Sequence, residues 1–214
     1  KKDICIPPIK KILEYLTPTE EDLLILSKIP IGHSDQLKYY ETHHNPQNGQ
    51  LDIFKMIIAK KIKASTLTKI LESSLLEHNL TLANYLINYA IPDEKCLEAA
   101  CACEGSYNIV SLMIAQKIHV SEKAIINAIK LKSLPTVNLL FQMGFSPNEA
   151  CLIEACKVHS EEIINRILLC KVTPTQQCFN ALLYSSSLGY GRSKHAVKSL
   201  YVATLIDILI QNGY

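Results

Sequence analysis

The chain lacks a strong excess of charge of either sign. Its 214 residues include 22 lysines and arginines and 20 aspartates and glutamates, which gives a formal net charge of +2. Proteins that hold nucleic acid or an anionic membrane by electrostatic attraction carry a marked basic excess. The overall charge therefore gives no argument for either partner, and we expect no nucleic acid to bind.

Long hydrophobic runs are missing as well. No apolar stretch approaches the roughly 20 residues that a helix needs to cross a bilayer, so no membrane span is predicted. The start carries Lys1, Lys2 and Asp3 and is interrupted by Pro7 and Pro8. Such a start does not resemble a secretory signal. Because the chain begins without methionine, we expect further residues upstream.

No cluster of residues typical of catalysis stands out. Enzymes need a nucleophile or general base beside an orienting partner, and no Ser-His-acid, Cys-His or paired-carboxylate arrangement is visible. No catalytic residue, metal or cofactor is therefore predicted. The pair His43-His44 lies in a polar turn and is interpreted as solvated. Distant residues can meet in a fold, which leaves thiol chemistry of Cys103 with His119 or His159 as a weaker alternative.

One sequence pattern, typical of a pair of helices, occurs several times in the chain. Between Cys96 and Gly144, an apolar residue stands three positions before a small one, and a polar break is followed by an apolar run such as Val137 to Phe141. The first spacing places both residues on one face of a helix, and the run gives a second helix with a wide apolar stripe. Each unit is therefore predicted to be a helix hairpin.

The hairpins recur at a nearly constant interval. The small residues of the first helices are 27, 28, 27 and 26 positions apart, and equivalent residues of the second helices are 27 apart. A hairpin that buries its apolar faces only against its neighbours needs this regularity, whereas one globular core does not. The series are Ser73, Ala100, Ala128, Ala155 and Ala181, each with an apolar residue three earlier (Ile70, Leu97, Ile125, Leu152 and Cys178), and Ala83, Val110, Val137 and Ile164 in the second helices.

These residues resemble the ankyrin repeat. The resemblance rests on Ala100-Cys101 and Ala155-Cys156, the turn at Gly105, the helix 108–114 and the closing segment 144–148. The period is shorter than the usual 33 residues, and the threonine-proline-leucine-histidine opening is absent from every copy. The resemblance implies an all-α fold: an α-solenoid of about six stacked helix-turn-helix repeats with an N-terminal helical cap and short loops in place of the β-hairpin finger.

The predicted array covers residues 35–214. Residues 1–34 are interpreted as capping helices or as the end of a preceding domain, because Pro8 and Thr19 each begin a short apolar helix and Pro30 ends the second. The last unit, Leu205 to Tyr214, again resembles an ankyrin second helix with its glycine. Its spacing predicts an insertion of about fifteen residues near 185–201.

Three of the eight cysteines, Cys101, Cys156 and Cys178, are predicted to be core residues from the repeat register. Cys101 and Cys156 occupy a repeat position that other copies fill with serine, isoleucine or leucine, so they behave as small apolar side chains. The even number would suggest disulfides in a small secreted chain, but the repeat register favours a reducing cytoplasmic or nuclear setting. A zinc site from Cys96, Cys101 and Cys103 stays open as the weaker reading, because no paired C-x-x-C spacing occurs.

The insertion is the most distinctive segment. It is basic and aromatic, with Tyr190, Arg192 and Lys194, and it lacks the Gly-Lys-Ser/Thr ending of a phosphate-binding loop. Long insertions in repeat arrays lie on one face and often contact a partner. A flexible connection or a longer first helix is the alternative.

The resemblance implies a protein–protein interaction scaffold that binds through a concave face and the adjoining loops. Glu98, Asn127, Glu154 and Asn180 are interpreted as a polar line that recurs between repeats, or equally as an ordinary solvated face. The full set of candidate contact residues is Asp93, Lys95, Glu98, His119, Glu122, Asn127, Asn148, Glu149, Glu154, Gln176, Asn180, Tyr184, Tyr190, Arg192 and Lys194.

The partner is expected to be a protein, and the chain a monomer or part of a larger chain. Ankyrin-like proteins rich in isoleucine, lysine and asparagine are frequent in large DNA viruses and intracellular bacteria, so the resemblance implies an effector that acts in a host cytosol or nucleus. Three alternatives stay open: a targeting domain of a larger enzyme whose catalytic domain lies upstream, a structural assembly protein, and nucleic-acid binding through Lys55 to Lys63 and the insertion.

Overall fold

The computed structural model describes residues 19–28, 54–55, 62–187 and 195–213. Every regular element in these ranges is an α-helix, which confirms the predicted all-α class. The chain divides into two compact units, Lys1–Ile118 and His119–Tyr214. The predicted first capping helix, the turn at His43-His44 and the predicted boundary at residue 34 lie outside the described ranges.

Two hairpins, one further helix and the helical residues Phe54 and Lys55 make up the described part of the first unit. Helix α2 packs against α1, α3 and α4, and α4 packs against α5. The pairs α2–α3 and α4–α5 are therefore hairpins whose first helices lie against each other. The helices are α1 (Glu20–Ser27), α2 (Ala64–Leu76), α3 (Leu80–Leu86), α4 (Glu94–Cys101) and α5 (Tyr107–Ala115).

Three hairpins make up the described part of the second unit. The first helices α6, α8 and α10 pack in a row, each against its own second helix, and the second helices α7 and α9 also touch. The helices are α6 (Glu122–Lys130), α7 (Leu134–Gln142), α8 (Glu149–Lys157), α9 (Glu161–Leu168), α10 (Gln176–Ser187) and α11 (His195–Gln211).

Helix α1 lies at the position predicted for the second capping helix. The Thr19 and Asp22 side chains each accept a hydrogen bond from the other's backbone N–H, at 3.2 and 2.9 Å, which is a capping box at the helix start. The Thr19 hydroxyl and backbone N–H lower the pKa of Asp22 by stabilising its carboxylate. Helix α1 is joined to α2 by a 2.9 Å hydrogen bond from Ser27 Oγ to Ser73 Oγ and by an ion pair between Glu20 and Lys69.

Left-handed backbone conformations recur at the predicted interval of 27 residues. One residue with positive φ lies in the turn inside each of the first four hairpins, whose turns the structure describes, and another follows each second helix from α5 onward. Only three of these residues are glycines, for which positive φ carries no steric cost, so most of the turns have no glycine signal in the sequence. The two series are His78, Gly105, Lys132 and His159, and Lys117, Gly144 and Lys171, with Gly213 following 42 positions later.

The second helices bury the residues that their spacing predicted. Ala83, Val110, Val137 and Ile164 are all fully buried, which confirms the predicted register of these helices. Burial of one large aliphatic side chain contributes roughly 1.5–3 kcal/mol. Three further positions are buried in all four of these hairpins, namely Leu82, Ile109, Thr136 and Ile163; Leu86, Met113, Leu140 and Ile167; and Ile87, Ile114, Phe141 and Leu168.

The predicted register of the last first helix is wrong by one residue. Counted from the helix starts, Cys178 corresponds to Cys96 and Cys151 as the third residue. The small position of α10 is therefore occupied by Leu182, which is fully buried, whereas Ala181 is half-buried. Matching by side-chain size gave the wrong register, because α10 has a leucine at the seventh helix position where α4, α6 and α8 have alanine.

The last hairpin has longer helices than the other two of its unit. Helix α10 has 12 residues and α11 has 17, against 8 or 9 for α6 to α9. Part of the predicted insertion thus extends both helices, in line with the alternative of a longer first helix. Tyr190, Arg192 and Lys194 lie outside the described residues, and the side chain of Tyr184 is not described.

Replacing Lys132 by glycine tests the turn geometry. Lys132 is exposed with φ of 54°, and a left-handed L-residue is strained by roughly 1–2 kcal/mol. We expect Lys132→Gly to raise the free energy of unfolding, by up to about 1 kcal/mol after the entropic cost of glycine. Lys130→Gly, two residues earlier in α6, should lower it by about 0.5 kcal/mol. Urea denaturation measures both, and an equal loss in the two variants would contradict the assignment.

Candidate functional site

The starts of the first helices in the second unit carry a repeated polar arrangement, which we call the cap ladder (Glu122, Asn148, Glu149 and Thr175). Asn148 Oδ1 accepts a hydrogen bond from the backbone N–H of Cys151 at 3.1 Å and so caps α8. Asn148 Nδ2 donates to Glu122 Oε1 on α6 at 3.0 Å. One hairpin later, the Thr175 hydroxyl donates to Glu149 Oε1 at 2.6 Å. The ladder therefore joins neighbouring hairpins.

Three predicted contact residues thus have a structural role. Glu122, Asn148 and Glu149 are exposed, but their polar atoms are engaged between α6, α8 and the start of α10. Sequence reasoning missed Thr175, although its position 27 residues after Asn148 and directly before a helix could have identified it. In the first unit, Asp93 likewise caps α4, with its Oδ1 3.0 Å from the backbone nitrogen of Cys96.

The predicted polar line occupies two helix positions. Glu98 and Asn180 are the fifth residues of α4 and α10, whereas Asn127 and Glu154 are the sixth residues of α6 and α8. Consecutive residues point about 100° apart around a helix, so the four side chains do not share one direction. The packed helices α6 and α8 do present Asn127 and Glu154 at equivalent positions. Glu154 also pairs with Lys157 at 3.1 Å.

The remaining predicted residues are mostly exposed. Lys95 lies on α4 and His119 in the loop before α6, and both are exposed. Gln176 and Asn180 are exposed on α10, where Gln176 Nε2 donates to Asn180 Oδ1 at 3.2 Å. Together with His119, these two amides are the described contact candidates of the second unit that are both exposed and outside the cap ladder.

A polar contact between second helices was missed by sequence reasoning. Arg166 on α9 donates from Nε to Asn138 Oδ1 on α7 at 2.8 Å, and its guanidinium lies 5.3 Å from the ring centroid of Phe141. A cation over an aromatic face contributes about 0.5–2 kcal/mol. In the sequence, Arg166 lies 28 positions from Asn138 and 25 positions from Phe141, so no local sequence pattern predicts the contact.

Cys101, Cys156 and Cys178 are buried, which confirms the core positions that the repeat register predicted for them. All seven described cysteines are free thiols, and all except Cys170 are buried. Burial is the largest cause that raises the pKa of Cys96 and of Cys101 to about 12. Protonated, buried thiols are poor nucleophiles.

Cys103 has a histidine neighbour, but a different one from either candidate. His78 Nδ1 lies 3.3 Å from Cys103 Sγ, while the ring of His159 contacts the carbonyl oxygen of Leu182 at 3.2 Å. Burial raises the pKa of the Cys103 thiol, which opposes formation of a nucleophilic thiolate. Within the described ranges, no group of three or more histidine, cysteine or acidic side chains is arranged to hold a metal ion.

Comparison of the chain with models of known protein families, with curated protein sequences and with solved structures gave no match. In the part of the chain that the structure describes, no helix is long and apolar enough to cross a membrane. The structure therefore places the chain in a class by architecture alone, as an all-helical protein of packed helix hairpins.

Removal of Asn148 tests the cap ladder. Asn148→Ala removes a helix cap and a link to α6, and should lower the free energy of unfolding by about 1–2 kcal/mol. Glu122→Ala removes only the link and should cost less, about 0.5–1 kcal/mol. Asn165→Ala, at an exposed position of α9, is the matched control and should stay within about 0.5 kcal/mol of the parent. An Asn148→Ala effect no larger than the control would refute the ladder's role.

Alkaline pH should destabilise the fold through Cys96 and Cys101. Their folded pKa of about 12 lies above the ordinary value of 9.0. Between these values the unfolded thiols release protons and the folded ones keep them, so the free energy of unfolding falls as pH rises. The slope is at most about 1.4 kcal/mol per pH unit for each thiol.

A variant with Cys96→Ala and Cys101→Ala should therefore lose less stability above pH 9 than the parent, as measured by urea denaturation across pH. Below about pH 8 both proteins should differ by a constant amount, because folded and unfolded thiols are then protonated. Parallel curves up to pH 11 would contradict the burial of these thiols.

Proposed function

We propose that this chain is a divergent ankyrin-type repeat array that serves as a protein–protein interaction scaffold. The observation that carries the proposal is that two sets of positions in the second unit behave differently. Caps and buried positions repeat from hairpin to hairpin and are used in packing, whereas the exposed positions differ between hairpins. Such a division is typical of repeat proteins that present a variable surface on a constant frame.

The connections support the ankyrin-type assignment with a reduced finger. The segment between α7 and α8 covers only residues 143–148 and contains no strand, and the segment between α9 and α10 covers 169–175, also without one. An ankyrin repeat of usual length would place its β-hairpin there. The 27-residue period is accounted for by short loops of this kind.

The proposed contact surface of the second unit lies on the row of first helices. Exposed Gln176 and Asn180 form its part on α10, and the half-buried Asn127 and Glu154 form its part on α6 and α8. In the first unit, taken by itself, the contact candidates on α4 are Lys95 and Glu98. The surface is polar, so its partner is a protein whose own polar groups match these amides and carboxylates. On the resemblance alone, we extend the proposal to a partner in a host cell.

The experiment compares two pairs of amides with the same chemistry. Gln176→Lys with Asn180→Lys alters α10, and Gln142→Lys with Asn165→Lys alters exposed positions of the second helices α7 and α9. A photo-crosslinking residue at position 180, and at 165 as control, is first used to capture and identify a partner from a cytosolic lysate. Binding of the purified partner is then titrated against the parent and both double variants.

We expect the α10 variant to lose at least tenfold in affinity, or about 1.4 kcal/mol, because two lysines disrupt the polar match. The α7/α9 variant should bind as the parent does. Circular dichroism checks that both variants are folded. Equal crosslinking at positions 165 and 180, or equal affinity of the two variants, would reject this surface, and the absence of any specific partner would reject the scaffold function.

A further inference from the structure

The second helices of the first unit carry no charged residue. Lysine, arginine, aspartate and glutamate are all missing from Asn79 to Pro92 and from Gly105 to Gln116, the two segments that contain α3 and α5. Every charged residue between positions 62 and 118 lies on α2, on α4 or in a connection. Charge in this part of the chain is therefore confined to the first helices and the loops.

The two helices expose a surface without charge, which we call the neutral face. The fifth and sixth residues of each helix lie outside its buried stripe, and Leu112 is 47% exposed. The start of α3 lies against the turn before α5, where a Cβ on Gly105 would be 3.3 Å from Leu80 Cδ1. The neutral face consists of Asn84, Tyr85, Tyr89, Asn108, Ser111 and Leu112.

Two tyrosines form the aromatic part of the neutral face. The rings of Tyr85 and Tyr89 have their centroids 5.1 Å apart with an interplanar angle of 47°, and Tyr89 is 49% exposed. Tyrosine provides a large contact area at a low entropic cost, and asparagine and serine provide adaptable hydrogen bonds. Depletion of charge and enrichment of tyrosine are typical of the central part of protein interfaces.

Helix packing does not require these positions to be neutral. In the second unit, α9 has Glu162 as its second residue and Arg166 as its sixth, where α5 has Asn108 and Leu112. Glu162 is exposed and Arg166 is half-buried. A second helix of this chain thus accommodates both signs of charge at the same positions. The absence of charge from α3 and α5 therefore indicates a role other than folding.

We propose that the neutral face binds the same face of a second copy of this chain, so that two chains pair about a twofold axis. In such a pair identical surfaces meet, and a charge near the axis would be repelled by its own copy. Hydroxyl and amide groups both donate and accept hydrogen bonds, so identical groups can pair with each other. A carboxylate only accepts and an ammonium only donates.

The size of the neutral face indicates a weak dimer. A standard interface removes roughly 800 Å² from each partner and uses about 20–30 residues a side. Helices α3 and α5 have only 7 and 9 residues, so we expect a reversible dimer with a dissociation constant of roughly 10–100 µM. The proposal does not depend on the scaffold function, because it uses the second helices and not the first. It replaces the monomer that was expected from the sequence.

The first experiment measures the mass of the full chain by sedimentation equilibrium between about 1 and about 300 µM. We expect the mass to rise with concentration from that of one chain towards that of two. Because no charged group belongs to the neutral face, the association constant should change less than about twofold between low and high salt. The mass of one chain at every concentration, or an association lost in high salt, would overturn the proposal.

Matched variants locate the association. Leu112→Glu places a carboxylate on the neutral face of each copy and should weaken the association at least tenfold. Leu76→Glu makes the same change at the end of α2, where Leu76 is 60% exposed, and should associate as the parent does. Circular dichroism checks that both variants are folded. Equal association constants of the two variants would reject the neutral face as the dimer interface.

Cross-linking tests the same surface without an added charge. A photo-crosslinking aromatic residue replaces Tyr89, and as a control it replaces Leu76. At concentrations where the parent associates, position 89 should give a product of two chains whose linked peptides both come from residues 79–116. No such product at position 89, equal yields at the two positions, or capture of a different protein alone would contradict pairing of two copies through this face.

Discussion

A hairpin of two short helices cannot cover its own apolar faces, and the rest of this structure depends on that constraint. The helices of the regular hairpins have 7 to 9 residues, apart from the longer α2, and isolated helices of that length are marginal in water. Each therefore gains its stability from tertiary packing. The contacts between α2 and α4, and between α6, α8 and α10, meet this need by placing first helices side by side.

The same constraint explains why polar residues at helix starts are less available for binding than their exposure suggests. A helix leaves its first N–H groups without intrahelical partners, and the side chains of Asp93, Ser121 and Asn148 accept hydrogen bonds from such groups at the starts of α4, α6 and α8. In the second unit, Asn148 and Thr175 also bond to Glu122 and Glu149 on the preceding hairpin. Asn148 thus both caps the start of α8 and links it to α6, and the surface that we propose for recognition uses residues further along the first helices, such as Asn180.

Cysteine suits the interior of such an array because it is small and mildly apolar. Six of the seven described cysteines are buried, and burial keeps Cys96 and Cys101 protonated. Cys156 and Cys178, on the packed helices α8 and α10, are fully buried in the same way.

The sequence by itself determined the helices, their pairing into hairpins and the buried face of the second helices. Ala83, Val110, Val137 and Ile164 were identifiable because hydrophobic periodicity is a local property that each helix repeats. The left-handed turns at Lys132 and His159 are local, closed by backbone hydrogen bonds such as that from Ser133 N–H to the Ala128 carbonyl, but lysine and histidine give no sign of them in the sequence. Only the tertiary structure decided the bonds from Asn148 to Glu122 and from Arg166 to Asn138. These bonds join residues from neighbouring hairpins, so they exist only once one hairpin lies against the next.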